Sequence, residues 1–342
     1  MFGILRTLLA IYVVLLHIFS FPTLGNYAVS FFFILSGFLM TYVMQKSYSY
    51  DFSGVKLFWA NRFLRLYPTY WLVLLLSLVA IFALSGNGLN PAMYFPSSFK
   101  EWVSNISMLY FDIVPHRIKP RVVPTSWALT NELVFYLLIS FGISKNKTRT
   151  FIWLFFSILY YVGTYFFYDL PTFRYSAIPA SSLPFAIGAA LFWLNERQTK
   201  IKGNISLIIF LMLLFNVNAV YLANTGITIY TEISIYTNYI LSAAIVLLLF
   251  QVKSNKKIKQ ADNFIGYFSY PIYLSHYLIC AVYIYFFNPN HGTKAYKLQT
   301  DALIGYFLIL FVFCFAIVYF IDIRIDRYKR ELQLARNIKA NN

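Results

Sequence analysis

At 342 residues, with 60% hydrophobic, 21% aromatic and only 12% charged side chains, the chain lacks the polar surface that a soluble domain must maintain. A net charge of +16 would suggest nucleic acid in a soluble chain, but here the charge falls between apolar stretches, where topology and anionic lipid account for it and no nucleic-acid partner is expected. Cys280 and Cys314, the two cysteines, both sit in apolar runs and give neither a disulfide framework nor a metal site.

Apolar stretches near the roughly 20 residues that cross a bilayer recur along the chain. In order they predict ten spans over 2–21, 28–45, 67–85, 127–143, 151–168, 176–194, 204–222, 236–252, 269–287 and 302–321. The first is followed by no small-residue cleavage site and is read as a span, not a signal peptide. "SGNGLNP" after the third span and "NPNHGTK" after the ninth are turn-forming connections. With the N-terminus cytoplasmic, the inside segments carry 20 of the 28 Lys and Arg and the outside segments 7, Arg6 lying within span one. The expectation is an all-α, polytopic integral membrane protein with both termini cytoplasmic. It comprises one membrane domain over 1–322 and a basic cytoplasmic tail over 323–342, with no appended soluble domain and no internal repeat. The long segment 86–126 falls outside on this topology. It either covers an outward-facing site, contacts an anionic acceptor, or forms an irregular lid without chemistry.

Four groups of polar residues stand where the bilayer disfavours them. In "ILRTLLAIYVVLLHIF", Arg6 and His17 are eleven residues apart, which is three helical turns plus about 20°. They therefore share a face, about 16 Å apart along the axis. Either alone is compatible with snorkelling or a satisfied bundle histidine; together they point to a functional interior. In "WANRFLRLYPTYW", Arg62 and Arg65 are spaced i, i+3, so two guanidiniums can fork onto phosphate oxygens, although ordinary positive-inside anchoring gives the same pattern. In "SWALTNELVFYLL", Glu132 is an acid deep in a span, flanked by Trp127 and by Tyr136 one turn on. Counted from the outer boundary, Glu132 and His17 fall at similar depths, where a carboxylate would orient the imidazole as a base. In "FSYPIYLSHYLI", His276 counts into the cytoplasmic half, nearer the depth of Arg6, as a ligand contact or a satisfied core histidine and a poor partner for His17. His116 and His291 carry no readable signal.

In this order "NYAVSFFFILSGFL", "RFLRLYP", "SWALTNELVFY" and "SYPIYLSH", with the Arg and His of span one, resemble the acyltransferase-3 family of membrane O-acyltransferases. The resemblance runs from the first span to His276. It implies a ten-span bacterial inner-membrane enzyme that moves an acyl group, usually acetyl, from acyl-CoA to a hydroxyl of an envelope glycan. On this basis His17 and Glu132 are expected to be catalytic. Arg6, Arg62, Arg65 and His276 are expected to bind acyl-CoA, with Ser36, Trp127 and Tyr136 supporting. No tightly bound cofactor and no metal are expected; acyl-CoA is a co-substrate, and the partners are a carbohydrate acceptor and the lipid bilayer. The loop between spans one and two is short, and the hydrolase-like domain of some members is not expected here. Ser36, Trp127 and Tyr136 are also the candidates for stabilising an oxyanion. The competing reading is a polysaccharide transporter, flippase or polymerase without acyl chemistry.

Overall fold

The computed structural model describes residues 1–21, 24–84, 88–167, 172–197, 203–221, 228–287 and 294–329. Of the basic tail, residues 330–342 lie outside the described residues, as does 288–293 of the connection after the ninth predicted span. Among the described residues the architecture is helical, without β-strands. The long helices are α1 (Gly3–Phe19), α2 (Leu24–Val43), α3 (Phe52–Leu84), α5 (Ser126–Ser140), α6 (Lys147–Phe167), α8 (Ile178–Arg197), α9 (Ile205–Val220), α10 (Thr228–Gln251), α11 (Lys256–Tyr267), α12 (Ser269–Phe287) and α13 (Leu303–Ile317). Two short ones, α4 (Phe99–Ser107) and α7 (Thr172–Tyr175), interrupt the connections.

Each of the ten apolar stretches coincides with a helix. Among the described residues, seven helical stretches are long and apolar enough to cross a membrane. The helices α1, α9 and α5 are shorter, at 17, 16 and 15 residues. Seventeen residues rise about 25 Å against a hydrocarbon core of about 30 Å. The hydrophobic windows of α2 and of 256–287 are each 72% buried, whereas those of α6 and the last helix are 28% buried. Helices α2 and α12 thus form the centre of the bundle, and α6 and α13 present apolar side chains to lipid. Without a hydrophobic force between helices in lipid, close backbone approach holds the centre. A Cβ on Gly37 would meet the Phe185 carbonyl at 2.1 Å, and one on Gly188 would meet the Ile34 carbonyl at 2.0 Å, so α2 and α8 touch backbone to backbone.

The end of the bundle at which α1 begins is here the N-terminal face; the opposite end is the distal face. The segment 86–126, expected to lie wholly beyond the bundle, instead dips into it. The last carbonyls of α4 accept from α3: Ser107 from Tyr67 (2.9 Å), Ile106 from the Trp71 indole (2.9 Å), and Asn105 from Tyr70. Tyr70 lies fourteen residues, or about 21 Å, below the distal end of α3. An irregular stretch follows at that depth. Backbone there must be satisfied by protein, because lipid offers no hydrogen bonds. Asn105 takes the Val122 amide (2.9 Å) and gives to the Pro120 carbonyl (2.9 Å), and buried Arg121 donates to the carbonyls of Pro124 (3.1 Å), Ile118 (2.6 Å) and His116. Thr125 and Tyr273 then exchange two bonds of 3.1 Å, which fix the start of α5 against the middle of the helical stretch 256–287. Helix α5 therefore runs from mid-bundle to the N-terminal face, and this half-length path is why it has only 15 residues.

Gly188 and Gly163 give a matched test of the contact picture. Gly188→Ala should lower thermal stability in detergent by about 1–3 kcal/mol through overpacking. A Cβ on Gly163 meets nothing within 4 Å, so Gly163→Ala should be neutral or slightly stabilising in the same melting assay.

Candidate active site

The site begins at the first residues of the chain. Asp262, on α11, accepts from the amides of Gly3 and Ile4, each at 3.0 Å, and so caps two of the free N–H groups that open α1. The approach is so close that a Cβ on Gly3 would lie 1.8 Å from the Asp262 carbonyl oxygen. One turn on, the Thr7 hydroxyl donates to the Ile265 carbonyl at 2.7 Å. From this pairing α1 and the stretch 265–276 run parallel, ten residues to His17 on one side and eleven to His276 on the other.

The two histidines consequently meet: His17 Nδ1 lies 3.0 Å from His276 Nε2, with ring centroids 5.2 Å apart and planes inclined by 25°. This corrects the expectation that His276 sits near the depth of Arg6 and cannot reach His17. The helical stretch containing His276 begins at Lys256, not at the apolar boundary near 269, so its depth counted from that boundary was too shallow. His276 is fully buried behind His17, and it lines neither the arginine cavity nor the distal one described below.

Glu132 is the second correction. It does not contact His17; one carboxylate oxygen accepts from the Ser36 hydroxyl at 2.9 Å and from the Tyr136 hydroxyl one turn along α5. Because α5 starts in mid-bundle, its residues lie closer to the N-terminal face than a full span would place them. The single protons of Ser36 and Tyr136 are committed to Glu132, which leaves neither hydroxyl free to serve as an oxyanion donor.

Three cavities organise these residues. The first, about 840 Å³, is lined by Arg6, Arg62, Arg65, Ser36, Glu132 and Tyr136, among others, and ends distally at Val29, Ala128 and Tyr273. It shares Arg6, Arg65 and Tyr270 with a second, polar cavity of about 850 Å³ that also holds Asp322, Asp326 and Lys329 at the N-terminal face. None of the ion pairs among the described residues engages Arg6, Arg62 or Arg65. Arg62 Nε is buried without a hydrogen-bond partner, and its Nη1 rests 3.6 Å from Met40 Sδ. Three guanidiniums that face one cavity without carboxylate pairing make a strong anion site, since buried cations require a counter-charge.

The third cavity, about 1260 Å³, opens from the distal side and is lined by His17, Asn26, Ser30, Trp127, Tyr175 and His116, with Arg174 and Glu232 paired at 3.0 Å in its wall. Trp127 meets the rings of His116 and Tyr175 edge-on, at centroid distances of 5.6 and 5.7 Å. His116, without signal in the sequence, reaches this wall only because the dipping segment carries it there. Consecutive residues separate the two sides: Val29 and Ala128 line the arginine cavity, Ser30 and Trp127 the distal one. The two cavities thus adjoin across a partition formed by α2 and the start of α5.

A family model described as an acyltransferase domain matches residues 2–322. Acyltransferase MdmB of Streptomyces mycarofaciens is 32% identical over 123 residues, which is 36% of this chain and 29% of that relative's length. No solved structure matches the chain.

The Asp262 clamp gives a stability test of the site's foundation. Asp262→Ala should cost about 1–2 kcal/mol as a lost helix cap, with Asp262→Asn falling between it and the parent in thermal melts of the purified protein.

Proposed function

The chain belongs to the acyltransferase-3 family, and from that premise we propose that it is a membrane O-acyltransferase that takes an acyl group, acetyl by preference, from acyl-CoA and delivers it to a hydroxyl of an envelope or exported glycan. The observation that carries this reading is the pair of adjoining cavities, one lined by guanidiniums without carboxylate pairs and the other by an imidazole. The proposed setting is a bacterial cytoplasmic membrane crossed about ten times, with the N-terminal face and both termini cytoplasmic, as the distribution of Lys and Arg favours.

On this topology the donor enters from the N-terminal face. Its phosphates pair with Arg6, Arg62 and Arg65, for which the planar guanidinium fork is well suited. Its pantetheine arm follows α1, whose eleven-residue rise from Arg6 to His17, about 16 Å, is comparable to that arm's length. Glu132, held by Ser36 and Tyr136, offers its remaining lone pairs to amide N–H groups of the arm. At the partition the thioester carbonyl meets the distal cavity. The acceptor hydroxyl there gives its proton to His17 as its oxygen attacks the carbonyl carbon; the C–S bond then breaks and the departing thiolate takes the proton back. The aromatic edges of Trp127 and Tyr175 suit the apolar face of a sugar ring, with Asn26 and Ser30 available to its hydroxyls.

His17→Ala should reduce acyl transfer at least about 10²-fold at unchanged membrane abundance, measured as O-acyl content of the glycan by mass spectrometry; normal acylation would sink the mechanism. Arg65→Ala should chiefly raise the apparent KM for acyl-CoA, and it should weaken the thermal stabilisation that free CoA gives the purified protein. A protein that CoA does not stabilise would argue against the arginine cavity as the donor site.

A further inference from the structure

The contact between His17 and His276 leaves open which nitrogen of each ring carries the proton, and the surroundings of His276 decide it. Behind His276, its Nδ1 lies 3.2 Å from the carbonyl oxygen of Ile272. A carbonyl only accepts, so the contact is a hydrogen bond only when His276 Nδ1 carries the proton. The other tautomer would place a nitrogen lone pair against the carbonyl lone pairs in a spot with no exposure to solvent. With Nδ1–H assigned, His276 Nε2 holds the lone pair and is the acceptor of its contact with His17. His17 must then carry its own proton on Nδ1, the atom at that contact. The chain therefore ends at His17 Nε2, which bears a lone pair on the one histidine of the two that lines the distal cavity.

We propose that His276 is the positioning residue of this enzyme: through the Ile272 carbonyl it holds His17 in the Nδ1–H tautomer, so that Nε2 is the base presented to the acceptor hydroxyl. The assignment rests on the acyl-transfer reading above and adds to it the partner that the imidazole lacks once Glu132 is placed elsewhere. The order is helix carbonyl, His276, His17, acceptor hydroxyl, with a backbone group where a carboxylate would otherwise orient the base. When His17 accepts the acceptor's proton on Nε2, its Nδ1–H still donates to neutral His276, so the imidazolium keeps its hydrogen bond throughout. The same proton then passes from Nε2 to the thiolate, and both rings return to their starting tautomers. Tyr277 packs against both rings, stacked on His17 at 5.3 Å and tilted against His276 at 4.6 Å between centroids. The Tyr306 hydroxyl anchors the His276 backbone by donating to its carbonyl at 2.8 Å.

The chain has four histidines, so the protein labelled with ¹⁵N-histidine and reconstituted in lipid gives a spectrum simple enough to assign by single substitutions. Solid-state ¹⁵N shifts should show His17 and His276 each protonated on Nδ1 and unprotonated on Nε2. In the acyl-transfer assay, His276→Leu should lower kcat roughly 10²-fold with the KM for acyl-CoA within about twofold of the parent. His276→Gln should recover at least about tenfold of that loss, because its amide oxygen reaches near the Nε2 position and accepts from His17 Nδ1–H. A His17 protonated on Nε2 would overturn the assignment. So would a His276→Gln variant, folded by thermal melt, that is no better than His276→Leu. These failures leave His17→Ala inactive, whereas an active His17→Ala would overturn the acyl-transfer reading itself.

Discussion

Everything at the site depends on how the first helix is seated, and a single carboxylate seats it. Asp262 takes the two leading amides of α1, where the helix dipole also favours negative charge. Gly3 and Gly266 permit the contact because neither carries a side chain at the point of closest approach. A helix held at its first turn and again by Thr7 has no freedom to slide. A shift of one residue would turn His17 by about 100° away from His276. The register also sends Arg6 into one cavity and His17 into the other, so one straight helix serves both sides of the partition.

The partition itself comes from an uncommon use of the membrane interior. A loop at such depth is costly unless the protein satisfies its backbone, and Asn105, Arg121 and Tyr273 do so bond by bond. The result shortens α5 to half a span and lets the distal cavity reach far down into the bundle. The guanidiniums and His17 can then be approached from opposite faces. Trp127 and Ala128, neighbours at the start of α5, mark the point where the two approaches come nearest.

Charge is distributed to match. On the N-terminal side, guanidiniums stand without carboxylate pairs, an arrangement that is unfavourable until an anion arrives. On the distal side, Arg174 is already paired with Glu232, so that wall is polar without a comparable demand for an anion. Glu132 is tied to two hydroxyls and belongs to the arginine side. The asymmetry matches the proposed division of work between holding a charged donor and activating a neutral hydroxyl.

The sequence by itself determined the class, the ten helical places, and the charged residues of the arginine cavity together with His17 and Trp127 of the distal one, because an ionisable group in an apolar run is conspicuous against its cost. It also determined that Arg6 and His17 share a face, since helical periodicity is a local property. What it could not supply was depth. Counting from the ends of apolar runs placed His276 too near the N-terminal face, because the polar helix α11 continues into the bundle and carries the reference point with it. The same counting placed Glu132 beside His17, because nothing local reveals that α5 starts in mid-bundle below a dipping loop, or that His116 rides on that loop. Which residues meet was therefore decided by the tertiary structure alone: helix register is set by contacts such as Asp262 with Gly3, between residues 259 positions apart.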